Sequence, residues 1–167
     1  MAQDLGVFNS IKGIGLTFHQ PVDETEFNSF TLFTEVYGIP TGRTGQVGVK
    51  FNYSRNIIFH QTDFENSLLS FYAGPGVSAG YLRDAEFGLH ENHLVPLMHK
   101  PGFMLALSGT VGSHFHFRRK LSIDISFTAD LGIHLRRDET LNSIGLNLYK
   151  NGIFQALYPQ VSILYSL

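Results

Sequence analysis

The segment Leu121-Ser-Ile-Asp-Ile-Ser-Phe-Thr-Ala-Asp-Leu-Gly-Ile-His-Leu135 decides the fold class. Every odd position is apolar: Leu121, Ile123, Ile125, Phe127, Ala129, Leu131, Ile133 and Leu135. Every even position is polar or glycine: Ser122, Asp124, Ser126, Thr128, Asp130, Gly132 and His134. Strict period-two alternation is the signature of a β-strand, which points successive side chains to opposite faces. Strands in globular proteins usually run about 5–6 residues. A strand this long with one face of hydrocarbon must set that face against a protein core or against lipid.

The same alternation recurs along the chain. Ile14, Leu16 and Phe18 alternate with Gly13, Gly15, Thr17 and His19. Further segments follow at 29–36, 46–53, 69–81, 103–117, 121–135, 144–148 and 157–167. Counted this way there are eight strands, and none of the segments has the 3.6-residue period of an amphipathic helix. Arg118–Lys120 reads as a hairpin turn. Asn151-Gly152 reads as a second one, because both central positions of a type I′ turn need φ > 0. Pro75 and Pro159 each remove a ladder donor, so a bulge or strand end is expected near each. With both termini on one side, this count puts the long Arg83–Gly102 connection on that same side. No linker or second domain is visible, so residues 1–167 read as one domain.

Composition narrows the class. Charged residues make up 16% of the 167, against roughly 25% in soluble domains. A net charge of −2 gives no reason to expect nucleic acid. Cysteine is absent, which excludes disulfides, thiol catalysis and Cys-ligated zinc. No run of about 18 apolar residues exists, so no transmembrane helix is expected. The start Met1-Ala-Gln-Asp4 resembles a mature N-terminus following a removed signal peptide.

The polar faces decide between two barrels. In a soluble lipocalin-like barrel the polar face meets water and should be rich in Lys, Glu, Arg and Asp. Here it is mostly Gly, Ser, Thr and Asn. Gly13, Gly15, Gly48, Gly74, Gly76, Gly80, Gly112, Gly132 and Gly145 lie on it. Small residues suit the inside of an eight-stranded barrel, which is just wide enough to be filled by side chains. A tilted membrane-spanning strand needs about 9–11 residues, and closure leaves no unpaired edge in hydrocarbon. The expectation is therefore an all-β, eight-stranded, antiparallel up-and-down transmembrane barrel. Leu121, Ile123, Ile125, Phe127, Leu131 and Ile133 should face lipid. Phe18, Tyr53, Tyr81, Phe103, Phe117, Tyr158 and Tyr165 suit aromatic girdles at the two interfaces.

The segment Ser70-Phe-Tyr-Ala-Gly-Pro-Gly-Val-Ser-Ala-Gly-Tyr-Leu-Arg-Asp84 resembles the small outer-membrane β-barrel ("porin family") proteins of Gram-negative bacteria. These are related in architecture to the OmpA transmembrane domain and OmpX. The resemblance implies a location in the bacterial outer membrane, outer-membrane lipid as the surroundings, and an extracellular partner reached through loops. Such barrels usually end in an aromatic residue, whereas this sequence ends Ile163-Leu-Tyr-Ser-Leu167.

The candidate chemistry sits on the inner face. The Arg118–Lys120 turn sets a register that opposes His114 to Asp124, Ser108 to Asp130 and Met104 to His134. Glu35, Lys50 and His116 also point inward. Together with Asp124, Asp130 and His134 these residues read as an interior polar network that satisfies buried charges. The competing reading is a proton-responsive or catalytic cluster, since histidine titrates near neutral pH. In the loop Glu86–His99, the pair His90-x-x-His93 has metal-ligand residue types without strand or helix spacing, and an ordinary polar loop is expected. No metal or cofactor is expected. A His-x-Ser pair of the kind used by outer-membrane deacylases is absent, since His114-x-His116 lacks the serine. Gly74-Pro-Gly76 has no following helix and is no phosphate loop. The expected role is non-enzymatic: scaffold or surface interaction. A soluble ligand-binding barrel and a lipid A-modifying enzyme are the alternatives.

Overall fold

The computed structural model describes residues 3–36, 47–86, 89–90, 93–94, 98–117, 120–138, 143–149, 152–153 and 157–167. Their side chains are described except at 85–86, 89–90, 93–94, 98–100, 137–138 and 143. The strands are β1 (Asp4–Ser10), β2 (Gly13–Pro21), β3 (Glu26–Glu35), β4 (Gly48–Phe64) and β5 (Ser67–Glu86). Two short ones follow, β6 (Leu89–His90) and β7 (His93–Leu94). Then come β8 (Met98–Phe117), β9 (Leu121–Asp138), β10 (Ser143–Leu148) and β11 (Gln160–Ser166).

The main sheet runs β1-β2-β3-β4-β5-β8-β9-β11 and closes, because β11 pairs with β1 as well as with β9. All pairings are antiparallel. The result is a closed eight-stranded barrel. Its stagger can be followed partner by partner. The circuit from Leu121 passes Tyr165, Leu5, Phe18, Phe30, Tyr53, Val77 and Leu107 and returns to β9 at Leu131. The wall is therefore sheared by ten residues, 131 − 121. With strands about 4.8 Å apart rising about 3.3 Å per residue, that shear tilts them by about 40° to the barrel axis.

The eight-strand count holds, but two of its members change. Asp4–Ser10 is a strand that the alternation did not reveal. It is short, and its inward set of Asp4, Gly6, Phe8 and Ser10 includes a phenylalanine that is 3% exposed. Conversely, β10 and β11 share one position in the wall. Both run antiparallel to β9, pairing its far half (Leu148 with Ile133) and its near half (Gln160 with Ser126). They point the same way, so Asn151-Gly152 is not a hairpin turn: a hairpin reverses direction and this stretch does not. Asn151 itself lies outside the described residues. Residues 149–159 span what residues 127–132 span on β9, so the chain carries extra length here. The Tyr149 amide continues the ladder one step by donating to the Gly132 carbonyl (2.9 Å).

The added N-terminal strand also changes the orientation of the loops. Both termini now share an end with the short connections 22–25, 65–66 and 118–120. The strand ends that bound the connections 36–47, 87–97 and 139–142 lie at the opposite end, together with the tight β1–β2 turn; the first two of these connections are the long ones. The region around Ile57 and Ile58 adds no strand and simply continues β4. Pro159 stands just before β11, as a strand end should. Pro75 does not shift the register, since the pairs Ser54–Gly76 and Ile57–Ala73 on its two sides are in step. The irregularity of that ladder falls between Ile58 and His60.

The faces divide as the alternation predicts. Leu16, Leu107 and Leu131 point outward and are 52%, 70% and 59% exposed. Lys50, Asp124, Asp130 and His134 point inward and are at most 3% exposed. The inner surface is not purely polar. Phe8 stacks on Phe33 (ring centroids 6.0 Å), and Phe27 meets Tyr72 edge-on (4.9 Å). These rings supply volume that glycine, serine and threonine cannot.

Candidate functional site

Three layers occupy the barrel interior. The end opposite the termini carries Leu82, Met104, Ala106 and Tyr149, a small apolar cluster of buried residues. His134 lies against Tyr149 (ring centroids 6.1 Å), and its Nε2 is 3.1 Å from the Leu82 carbonyl oxygen. Met104 faces His134 across the β8–β9 ladder, as the turn register requires. Glu35 sits at the end of β3, pairs with Gly48 and faces inward at the same end.

The middle layer is a buried ion pair in a hydroxyl cage. Lys50 Nζ donates to Asp130 Oδ2 at 2.8 Å. Ser78 Oγ donates to Asp130 Oδ1 at 2.7 Å. Asn52 Nδ2 donates to the hydroxyls of Ser78 and Ser108, both at 2.8 Å. The register places Ser108 opposite Asp130, yet the partners of the carboxylate are Lys50 and Ser78. Thr110 and Thr128 bridge hydroxyl to hydroxyl at 3.1 Å. Voids of about 20 Å³ remain around this layer, room for about a single water. Charges buried this deeply persist only when paired and hydrogen-bonded.

The third layer is different, because it opens. At the end that holds the termini lies a cavity of about 420 Å³. Its apolar walls include Phe27, Ile58 and Leu68, and its polar side chains include Asp4, His19 and His114. Tyr72 donates its hydroxyl to both oxygens of Asp124, at 3.0 and 2.9 Å. His114 Nδ1 is 3.6 Å from Asp124 Oδ2, and its Nε2 is 3.9 Å from Asp4 Oδ2. The rings of His19 and His114 are 5.8 Å apart, and His19 leans on Phe27 at 5.0 Å. Asp4 Oδ1 also accepts from the Ser166 hydroxyl at 2.6 Å, joining the two ends of the chain.

The expected network residues thus fall into separate groups. His114 and Asp124 meet, as the register predicts, and lie with His19, Asp4 and Tyr72. Lys50 and Asp130 form a second group. His116 bonds Ser122 (Nδ1 to Oγ, 2.8 Å), while Glu35 and His134 stand elsewhere. Leu121, Ile123, Ile125, Phe127, Leu131 and Ile133 all lie on the outer face of β9. The loop histidines His90, His93 and His99 have side chains outside the described residues. Asp4 was missed because its strand was missed. His19 and Tyr72 carried the right parity, but only closure of the wall shows which strands face each other. Chemically, the open layer offers two imidazoles, two carboxylates and a phenol at the base of an apolar cleft. Among the described residues, Ser122 bonds His116, and His114 stands beside the carboxylates of Asp124 and Asp4. Comparison with known proteins finds no matching family model, curated sequence or solved structure.

Proposed function

We propose that this chain is a non-enzymatic outer-membrane β-barrel of a Gram-negative bacterium. Its interior is sealed, and it acts as a scaffold or a surface-interaction protein rather than a diffusion pore. The observation that carries this reading is the inverted polarity of the wall. Large apolar side chains stand exposed outside, while lysine, aspartate and histidine are buried inside. A water-soluble barrel with a ligand-binding core requires the reverse. The outer apolar row of β9 runs from Leu121 to Leu135. At about 3.3 Å per residue and about 40° of tilt it covers roughly 35 Å along the axis, enough for a hydrocarbon core of about 30 Å.

The loops support an orientation with the termini in the periplasm. Short turns at that end and the two long connections, 36–47 and 87–97, at the other follow the usual plan of such barrels. The long connections are then the surface that an extracellular partner meets. Aromatic residues flank the belt on its outer face, with Tyr81 packed edge-on to Phe103 (5.0 Å) and Phe30 beside Tyr53 (5.2 Å). The resemblance of Ser70–Asp84 to small outer-membrane barrels points the same way.

Membrane fractionation is the decisive experiment. The expressed protein should remain in the membrane pellet through salt and carbonate washes and require detergent for release. Unboiled and boiled samples should migrate differently on a gel, and a planar bilayer should show no steady conductance. A monodisperse protein in detergent-free buffer overturns the membrane reading. A stable ohmic conductance overturns the sealed interior.

A further inference from the structure

We infer that the base of the open cavity is a binding site for a divalent transition-metal ion of the zinc type, held by His19, His114 and Asp124. One ligand atom from each of these residues lies within 4.8 Å of the others. They come from three different strands, β2, β8 and β9; the β8–β9 turn register pairs His114 with Asp124, but no sequence spacing adds His19.

The separation of His114 from Asp124 is the telling distance. At 3.6 Å it is too long for an N–H···O hydrogen bond, which falls at about 2.7–3.2 Å. Yet His114 Nδ1 is buried and has no hydrogen-bond partner. Buried polar atoms are almost always satisfied, so each exception calls for a cause. Zinc binds imidazole nitrogen and carboxylate oxygen at about 2.0–2.2 Å. Two ligands around a tetrahedral ion at that radius stand about 3.4 Å apart. The His114–Asp124 pair therefore already has the spacing of two ligands on a shared ion. A donor nitrogen of His19 lies within 4.8 Å of both.

The surroundings suit the same chemistry. Imidazole nitrogens favour zinc, copper and nickel over magnesium and calcium, which take oxygen ligands. Tyr72 donates to both Asp124 oxygens and so fixes the plane of that carboxylate, the role of an outer-shell partner in metal sites. His19 and His114 also line the open cavity, which gives an ion and its water a way in. Asp4 stands 3.9 Å from the other nitrogen of His114 and adds negative charge beside the site. None of this depends on where the barrel resides. The binding assay runs in detergent if the protein needs it and in plain buffer if not, so the two proposals fail separately.

The test is zinc binding by the folded protein, measured by equilibrium dialysis with elemental analysis. Cobalt substitution supplies a visible spectrum, and paramagnetic broadening of imidazole signals identifies the ligands in the unmodified chain. A single ion per barrel should bind, and cobalt should broaden His19 and His114. His19→Gln and His114→Gln should each abolish the cobalt spectrum while keeping the heat-modifiable gel shift of a folded barrel. Tyr72→Phe should weaken binding by about 10–100-fold, as loss of an outer-shell partner does. The triple variant His90→Asn/His93→Asn/His99→Asn should bind zinc as the parent does. Absence of zinc and cobalt binding by the folded parent overturns the inference. So does binding that survives His114→Gln and disappears with the loop histidines. If the glutamine variants fail to fold, the broadening pattern of the parent decides: signals other than His19 and His114 refute the site.

Discussion

Lys50→Met tests how the middle of the barrel is held together. The Lys50 ammonium and the Asp130 carboxylate are 2.8 Å apart, with side chains 4% and 0% exposed. Methionine keeps most of the length of the lysine stem but loses the charge, and with it the cation–π contact of Nζ with the Phe33 ring (5.9 Å). The Asp130 carboxylate is then buried with a neutral hydroxyl, Ser78 Oγ, in place of a cation. Breaking one side of a buried pair costs about 3–5 kcal/mol, because the remaining charge is uncompensated. Asp130→Asn should cost a similar amount, because it removes the carboxylate that the buried ammonium bonds. In the double variant neither charge remains, and the amide oxygen introduced by Asp130→Asn can still accept from Ser78. Its loss should be only about 1–2 kcal/mol, close to the deletion of a neutral hydrogen bond. The coupling between the two sites is therefore expected to exceed about 3 kcal/mol, which corresponds to more than a hundredfold in the unfolding equilibrium. Urea unfolding in lipid vesicles, followed by loss of the heat-modifiable band, measures all four proteins. If the two single losses simply add in the double variant, the pair is not what holds this layer and the reasoning fails.

On the proposed membrane reading, Phe127→Arg puts a charge on the outer face near mid-membrane and should cost about 2–4 kcal/mol of folding in vesicles. Thr128→Ser, one residue on and facing inward, keeps the hydroxyl that meets Thr110 and should cost under about 1 kcal/mol; equal effects would refute the two-faced wall. Gly132→Ala should cost about 1–3 kcal/mol through overpacking, because a Cβ there runs into the Leu105 carbonyl and Ala106. Gly109→Ala faces open space and should stay within about 0.5 kcal/mol in the same unfolding assay. Asn52→Ala removes the amide that joins Ser78 to Ser108, so it should cost about 1–3 kcal/mol without opening a conductance; channel activity in that variant would show that the seal rests on this amide.

Much of the wall was legible because backbone geometry writes itself into the chain every second residue. The fifteen-residue alternation of β9, the inward parity of Lys50, Asp130 and His134, and the β8–β9 register all follow from local rules and one tight turn. The failures are equally physical. Polarity alternation is a proxy for burial, and it breaks wherever the interior needs volume rather than hydrogen bonds. Phe8 is such a position, and it hid β1. Asn151-Gly152 has the residues of a hairpin, but turn chemistry cannot tell whether the strands on either side pair with each other. Here both pair with β9.

The amino-acid sequence by itself determined that this chain forms long two-faced strands and which residues lie on each face. The reason is that side-chain direction depends only on the strand's own two-residue repeat. What only the tertiary structure decided is which strands meet across the barrel. His19, Tyr72, His114 and Asp124 belong to four strands; the β8–β9 turn relates His114 to Asp124, but no local rule relates that pair to His19 or Tyr72. Closure through β1 and β11, with a stagger of ten residues (131 − 121), brings them to one depth and leaves a cavity beneath them. That stagger is a property of the closed ring, set when the last strand finds the first.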